Sequence, residues 1–345
     1  MKNTQTNLTI IFATIILVLS CSKDNTTTIT PIPEVAKDIY ICGTEFSSTG
    51  GVAKYWKNGV ATEISDKNYS SDALAITVLN DDVFVCGYEY KKSKYVAKYW
   101  KNKVGIDLSD ATNDAIANAI CVVGSDVYVA GYEKKGSKYV AKYWKNGVAV
   151  ELSDGKIDGF AYGITVKGND VYVAGNDYDG YTNVAKYWKN GVENFVGDKK
   201  INNRVRAISV VGTDVYMAGD EFSVGKSVIA KYWKNGVETV LSDGKITNQV
   251  TSISIQGNDV YVAGHEYNGS INTPKYWKNG KETMLTDGKK YAEAQAIAVF
   301  GADIFVAGRE SNSAFVDVAK YWKNGVATAL SDGSKTASAK SIFVR

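Results

Sequence analysis

"VAKYWKNGV" (residues 52–60) returns along the chain as "VAKYWKNKV", "VAKYWKNGV", "IAKYWKNGV" and "TPKYWKNGK". Its indole falls at Trp56, Trp100, Trp144, Trp188, Trp233, Trp277 and Trp322, in steps of 44, 44, 44, 45, 44 and 45 residues, and these seven are all the tryptophans of the 345-residue chain. Such a period fits either propeller blades or helical solenoid repeats, so the local pattern must decide.

Outward from this phrase, each copy reads as four short segments. "ALAITV" (73–78) is matched by "NAICVV", "YGITVK" and "TSISIQ". A turn such as "GSD", "GND" or "GTD" leads to "DVYVAG", present also as "DIYICG", "DVFVCG", "DVYMAG" and "DIFVAG". After a variable stretch come "VAKYW", the turn "KNG" and a last segment such as "VAVELSDG". Segments rich in Val, Ile, Tyr and Thr, bounded by Gly, Asn and Asp, are strands joined by hairpins. Asn-Gly suits the positive φ angles of a tight hairpin turn, whereas a helical repeat would not tolerate so many glycines. The expected fold is all-β: a seven-bladed β-propeller over residues 38–345, with four antiparallel strands per blade.

The two ends test this. "DIYICG" at 38–43 has no "ALAITV"-type segment before it, and "KSIFVR" at 340–345 is that segment. Ser341–Val344 should therefore pair with Ile39–Cys42 and close the ring, protecting the strand edges. The position before the shared Ile is small in every copy (Ala75, Ala119, Gly163, Ala207, Ser252, Ala296, Ser341), as the crowded axis of a propeller demands. The tryptophans come later in the unit, where blades splay and large rings fill the space. Inter-blade packing explains a sevenfold indole better than an aromatic ligand cage, which is a single site. Pro274 replaces the Ala of "VAKYW", so that position must need no ladder hydrogen bond.

Residues 1–20 differ in kind. "MKNTQTNLTIIFATIILVLS" carries Lys2 and an apolar stretch from Leu8 to Leu19, too short for a membrane span and suited to a signal-peptide core. "Val18-Leu19-Ser20-Cys21" resembles a bacterial lipobox, which implies cleavage before Cys21 and acylation of that cysteine, palmitate included. Several acyl chains anchor far more firmly than one. An ordinary signal peptide with a chance cysteine is the alternative. Ser22 is not the Asp associated with inner-membrane retention, and "SKDN" resembles the tether starts of lipoproteins from Bacteroidota-type bacteria. The resemblance implies an outer-membrane lipoprotein, periplasmic or surface-exposed, with 21–37 ("TTTITPIPE" included) as an extended spacer. Without residues 1–20 the chain has 39 basic against 37 acidic residues, a net +2, which offers nucleic acid no strong field. A monomer is expected.

Chemistry is sparse. Cys42 and Cys86 share a position that is Ala in the other five copies. With Cys121 they read as structural thiols, since equivalent positions on neighbouring blades lie too far apart for a disulfide. No CxxC spacing exists and His265 is the only histidine, so thiolate or histidine zinc sites and repeated acid–base triads are excluded. His265 aligns with Thr44, Tyr88, Tyr132, Asn176, Asp220 and Arg309, which reads as an exposed loop edge. One acid per copy (Glu45, Glu89, Glu133, Asp177, Glu221, Glu266, Glu310) should pair diagonally across a hairpin with one Lys (Lys54, Lys98, Lys142, Lys186, Lys231, Lys275, Lys320). The "LSDG" aspartates read as turn residues; calcium would need more oxygens per loop. No cofactor is expected.

Function should lie where the copies diverge. The stretches after "VAG" ("YEYKKSKY", "NDYDGYTN", "HEYNGSIN") and after "LSDG" ("KIDGFAYG", "KINNRVRA", "KKYAEAQA") vary and should share the upper face, while the constant "KNG" and "GND" turns form the lower. The residue two before the shared Ile reads Leu74, Asn118, Tyr162, Arg206, Thr251, Gln295 and Lys340 and should enter the channel mouth. Tyr162, Arg206, Gln295 and Lys340 form a candidate collar for a glycan, a peptide or an anion, with Tyr88, Tyr132, His265 and Arg309 as further candidates; drift on an exposed rim is the bland alternative. Lys91, Lys92, Lys94, Lys134, Lys135 and Lys138 are explained as solvated loop lysines. Through its "DVYVAG" and "YWKNG" repeats the mature body resembles bacterial β-propeller repeat lipoproteins, which implies binding of a ligand or envelope protein, outer-membrane assembly scaffolds included. The alternative is a propeller glycosidase or polysaccharide lyase, needing paired carboxylates or an asymmetric Arg cluster. Acids that follow the symmetry, and only Arg204, Arg206, Arg309 and Arg345 as arginines, favour non-catalytic binding.

Overall fold

The computed structural model describes residues 38–222 and 225–345. The signal-peptide segment, Cys21 and the 21–37 tether lie outside these residues. The described chain forms seven four-stranded antiparallel sheets and no helix. Each innermost strand touches that of the next blade, and the last touches the first, so the ring is closed. The protein is a seven-bladed β-propeller.

Closure occurs as the sequence implies. The strand Ala337–Val344 pairs with Ile39–Ser47 in the register Ile39↔Val344, Tyr40↔Phe343, Ile41↔Ile342 and Cys42↔Ser341. Arg345 reinforces the seam with bonds to Asp38 at 3.2 Å and Asp81 at 3.0 Å. Blade 1 thus takes its innermost strand from the C-terminal end; blades 2–7 follow in chain order.

The repeated phrase is scaffolding. The "KNG" asparagines sit at φ between 48° and 52°, the left-handed conformation of a tight hairpin turn. Asn58 accepts the Ile39 N–H at 2.8 Å and donates to Asp38 at 2.9 Å. Lys57 reaches the same carboxylate at 3.2 Å and covers the Tyr40 ring. This brace between the "D" of "DVYVAG" and the "KN" of "YWKNG" recurs in the other six blades. The seven tryptophans are at most 2% exposed. Each packs on the preceding blade: Trp100 against Tyr40, Cys42 and Ala53, and Trp56 against Ala296, Phe305 and Leu330.

The seven predicted acid–lysine pairs all form, across diagonal register positions. Burial makes them heavier than a surface ladder: six of the lysine side chains are 9% exposed or less, so losing a partner would strand a desolvated charge. Pro274 sits where the ladder spares its N–H. At the equivalent positions of five blades that N–H turns outward to the "LSDG" serine hydroxyl, as from Ala53 to Ser65 at 3.1 Å.

One feature departs from the sequence reading. Every innermost strand carries a β-bulge, at Leu74, Asn118, Tyr162, Arg206, Thr251, Gln295 and Lys340. In blade 2, for example, the register steps from Ala73↔Gly87 to Ala75↔Cys86, leaving Leu74 unpaired. Opposite each bulge stands the glycine of "VAG". A Cβ on Gly87 would lie 1.9 Å from the Asp72 carbonyl oxygen, and one on Gly264 2.0 Å from that of Gln249. These glycines are mid-strand close-approach residues, not strand ends. The second strands continue beyond them, to Lys91 in blade 2 and Tyr267 in blade 6, so the first residues of each variable stretch belong to hairpins rather than loops.

Candidate functional site

A bulge turns one side chain out of the strand's alternation, and here it does so seven times around one axis. The seven bulged residues and the seven small residues that follow them line a single axial cavity of about 210 Å³. Crowding at the axis explains the small set: a Cβ on Gly163 would come within 3.2 Å of Ile208. Ser341 and Ser252 accept the N–H of Ile76 and Ile297 in the next blade, at 3.4 and 3.3 Å. The predicted collar residues Tyr162, Arg206, Gln295 and Lys340 thus share one cavity with Leu74, Asn118 and Thr251.

Among the described residues, Arg206 and Lys340 are the only charged ones that line the cavity. Arg206, 30% exposed, meets Asp220 through Nε at 3.4 Å. Asp220 is fully buried and also takes Arg204 Nη2 at 2.9 Å and the Val250 N–H of the next blade at 2.6 Å. Lys340 forms no salt bridge among the described residues. It does act on Asp72, whose carboxyl is pushed up by burial and pulled back by Lys340 and by bonds from Thr44 and Tyr88.

Tyr88, Tyr132, His265 and Arg309 do not line the cavity; they stand one strand outward, just past the glycine. His265 corrects the expectation of an exposed loop edge. It is 6% exposed, mid-strand, between Gln249 and Pro274. Burial holds its pKa below the usual imidazole value, although Glu293 and Asp220 oppose this, and its Nδ1 has no hydrogen-bond partner among the described residues. Arg309 is tied to Glu293 at 2.9 Å and Asp317 at 3.0 Å. Burial pushes the Glu293 carboxyl up, but the Tyr291 hydroxyl and Arg309 outweigh it and hold it below its ordinary value. Gln295 donates to the same carboxylate at 3.0 Å.

The upper half of the ring is therefore asymmetric. Three of the four arginines and the sole histidine gather on blades 5–7. Blades 2–4 instead carry aromatic rings. Tyr90 and Tyr95 lie 5.2 Å apart on the outer hairpin, and Tyr88 lies 5.1 Å from Tyr95. Further round, Tyr132, Tyr139 and Phe160 meet at 4.9–5.5 Å, and Phe160 stacks on Tyr162 at 6.1 Å with the planes 17° apart. One aromatic set stands at an exposed rim, where Tyr90 and Tyr95 are 43% and 41% exposed, and a second runs from Tyr139 through Phe160 to Tyr162 at the channel. Sequence reading missed Asp72, Asp220, Glu293 and Phe160. Their signal was divergence between copies at the positions flanking the bulge.

Other places offer less. Two larger crevices, of about 410 and 660 Å³, lie between blades and are lined by equivalent residues: Ser242, Asp243, Lys275 and Glu282 in one, Ser153, Asp154, Lys186 and Glu193 in the other. They are the same repeat feature seen twice, with the lysine already held by two carboxylates. The "LSDG" aspartates accept the N–H two residues on, as in Asp66 to Asn68 at 2.9 Å. No group of three His, Cys, Asp or Glu side chains is disposed to hold a metal ion among the described residues. Cys42, Cys86 and Cys121 are free thiols, and burial raises the pKa of each.

No family model and no curated protein sequence matches this chain. Solved structures share its fold. TolB from Acinetobacter baumannii superposes with a TM-score of 0.51 at 11% identity, over 74% of this chain and 65% of that one. A puromycin-hydrolyzing peptidase from Mycobacterium tuberculosis gives 0.53 at 10% identity, and a Pyrococcus horikoshii acylaminoacyl peptidase gives 0.50 at 13%. The chain spans 65% of the length of the first and 52% of each peptidase. At these identities the likeness is one of fold.

Proposed function

We propose that this chain is a non-catalytic lipoprotein of the cell envelope, anchored in the outer membrane through acylated Cys21, whose propeller binds a ligand or partner on its upper face at the channel mouth. One observation carries the binding reading. The bulged position holds seven different residues in seven blades, while the small residue and the Ile that follow it scarcely change. A repeat that keeps its frame and varies every side chain aimed at one cavity has the form of a binding site on a rigid scaffold. The buried, asymmetric charges of blades 5–7 add to it, because such groups concentrate at functional sites.

The experiment is a glycan and peptide array probed with the full chain in detergent, beside its Tyr162→Ala and Lys340→Ala variants. Binding that is lost in both variants, with melting curves unchanged, supports the collar. Binding that survives both clears the collar of any role, and turnover of a polysaccharide panel replaces the non-catalytic reading. The anchor is tested separately: radiolabelled palmitate should enter the wild-type chain and not Cys21→Ala.

A further inference from the structure

We infer that the ligand of the channel mouth is an acidic sugar, a uronic-acid unit whose carboxylate meets the Arg206 guanidinium, with the Lys340 ammonium adding a second positive charge in the same cavity. The inference rests on the reading of the upper face as a binding site and names the ligand's chemical class. Arg206 and Lys340 belong to blades 5 and 1, and among the described residues they are the only charged ones lining the cavity. Arg206 commits only its Nε, at a long 3.4 Å, to an aspartate that Arg204 already neutralises at 2.9 Å. Its two terminal nitrogens remain for a carboxylate, the anion a guanidinium fork matches.

The rest of the collar favours a sugar over a peptide terminus. Asn118 spends an N–H on the Ala161 carbonyl at 2.8 Å, and Gln295 spends one on Glu293 at 3.0 Å. Each keeps its amide oxygen as an acceptor, which suits a ligand rich in hydroxyl donors. The cavity of about 210 Å³ is smaller than the roughly 300–1,000 Å³ of ordinary small-molecule pockets, so it takes one ring-sized unit and leaves the rest of the ligand outside. Beyond it on blade 2 stand the exposed rings of Tyr90 and Tyr95, flat apolar faces on which further sugar rings can stack.

The test is calorimetric titration of the full chain in detergent with glucuronate, glucose, a uronate trisaccharide, a neutral trisaccharide, and a tripeptide with free or amidated C-terminus. Glucuronate should bind and glucose should not. Lys340→Gln and Arg206→Gln should each weaken glucuronate by about tenfold or more, as expected for a lost charge-assisted contact. Tyr95→Ala should weaken the uronate trisaccharide and leave glucuronate unchanged. Should Arg206→Gln fail to fold because Asp220 loses a partner, Lys340→Gln, which breaks no salt bridge, carries the charge test alone. Equal binding of the acidic and neutral trisaccharides overturns the inference while the upper-face reading stands. Tighter binding of the free-carboxyl tripeptide than of either sugar overturns it in favour of a peptide. Absence of binding by every probe overturns it, and the array then decides whether the upper-face reading falls too.

Discussion

Thr286 buries its hydroxyl oxygen without a hydrogen-bond partner among the described residues, at the place where Pro274 has no N–H to offer. In five other blades the equivalent serine takes that N–H, as Ser331 does from Ala319 at 3.1 Å. Restoring the donor should make the hydroxyl useful. In a Pro274→Ala background, Thr286→Ala should cost about 1 kcal/mol, the net worth of one hydrogen bond. In the native background the same change should be neutral or stabilising. Urea denaturation of the four proteins of this double-mutant cycle measures the coupling, and equal costs in both backgrounds would remove the argument.

Gly264 meets the Gln249 carbonyl so closely that a Cβ would lie 2.0 Å from the oxygen. Neither backbone can yield without opening the bulge, so Gly264→Ala should cost about 3 kcal/mol, the upper end of overpacking penalties. Gly136→Ala is the contrast. That residue has φ 65° and open space around the added Cβ, so only the cost of a left-handed L-residue, about 1–2 kcal/mol, applies. Denaturation midpoints of the two variants should separate clearly.

Trp188 is 1% exposed and packs with Tyr128, Ala130 and Ala141 of the preceding blade. Truncation to Ala should cost about 3–5 kcal/mol. A melting curve unchanged by it would return the indoles to the ligand-cage reading.

His265 gives stability a pH dependence. Burial keeps its folded pKa below the ordinary value of 6.5, so the unfolded chain takes up the proton first as pH falls. The stability it contributes is complete above about pH 6.5 and declines below it, since the slope follows the excess of protons on the unfolded state. Glu293, also held low, adds its own loss only further down, below its ordinary value of 4.5. Urea midpoints should therefore fall between pH 7.5 and 5.5 in the wild type, and fall less in His265→Asn. An equal fall in both would show that His265 is not the group responsible.

The sequence by itself determined what short-range and periodic forces decide. Seven indoles at a near-constant interval counted the blades. Val-, Ile- and Tyr-rich segments between Asn-Gly turns made the strands. The matching phase of "DIYICG" and "KSIFVR" predicted the seam, and the acid–lysine spacing predicted pairs that form because both partners sit in one hairpin. What lay beyond it depends on contacts between strands remote in sequence. The bulge at residues such as Leu74 is a relation between two strands, and the glycine that accommodates it looks, from sequence, like a turn. For that reason His265 read as an exposed edge, although the next blade covers it. Only the tertiary structure brought Arg206 and Lys340 to one cavity, set Asp220 against Arg206, and packed Phe160 on Tyr132 and Tyr139 of the neighbouring blade, because closing the ring makes neighbours of positions that the chain separates by whole repeats.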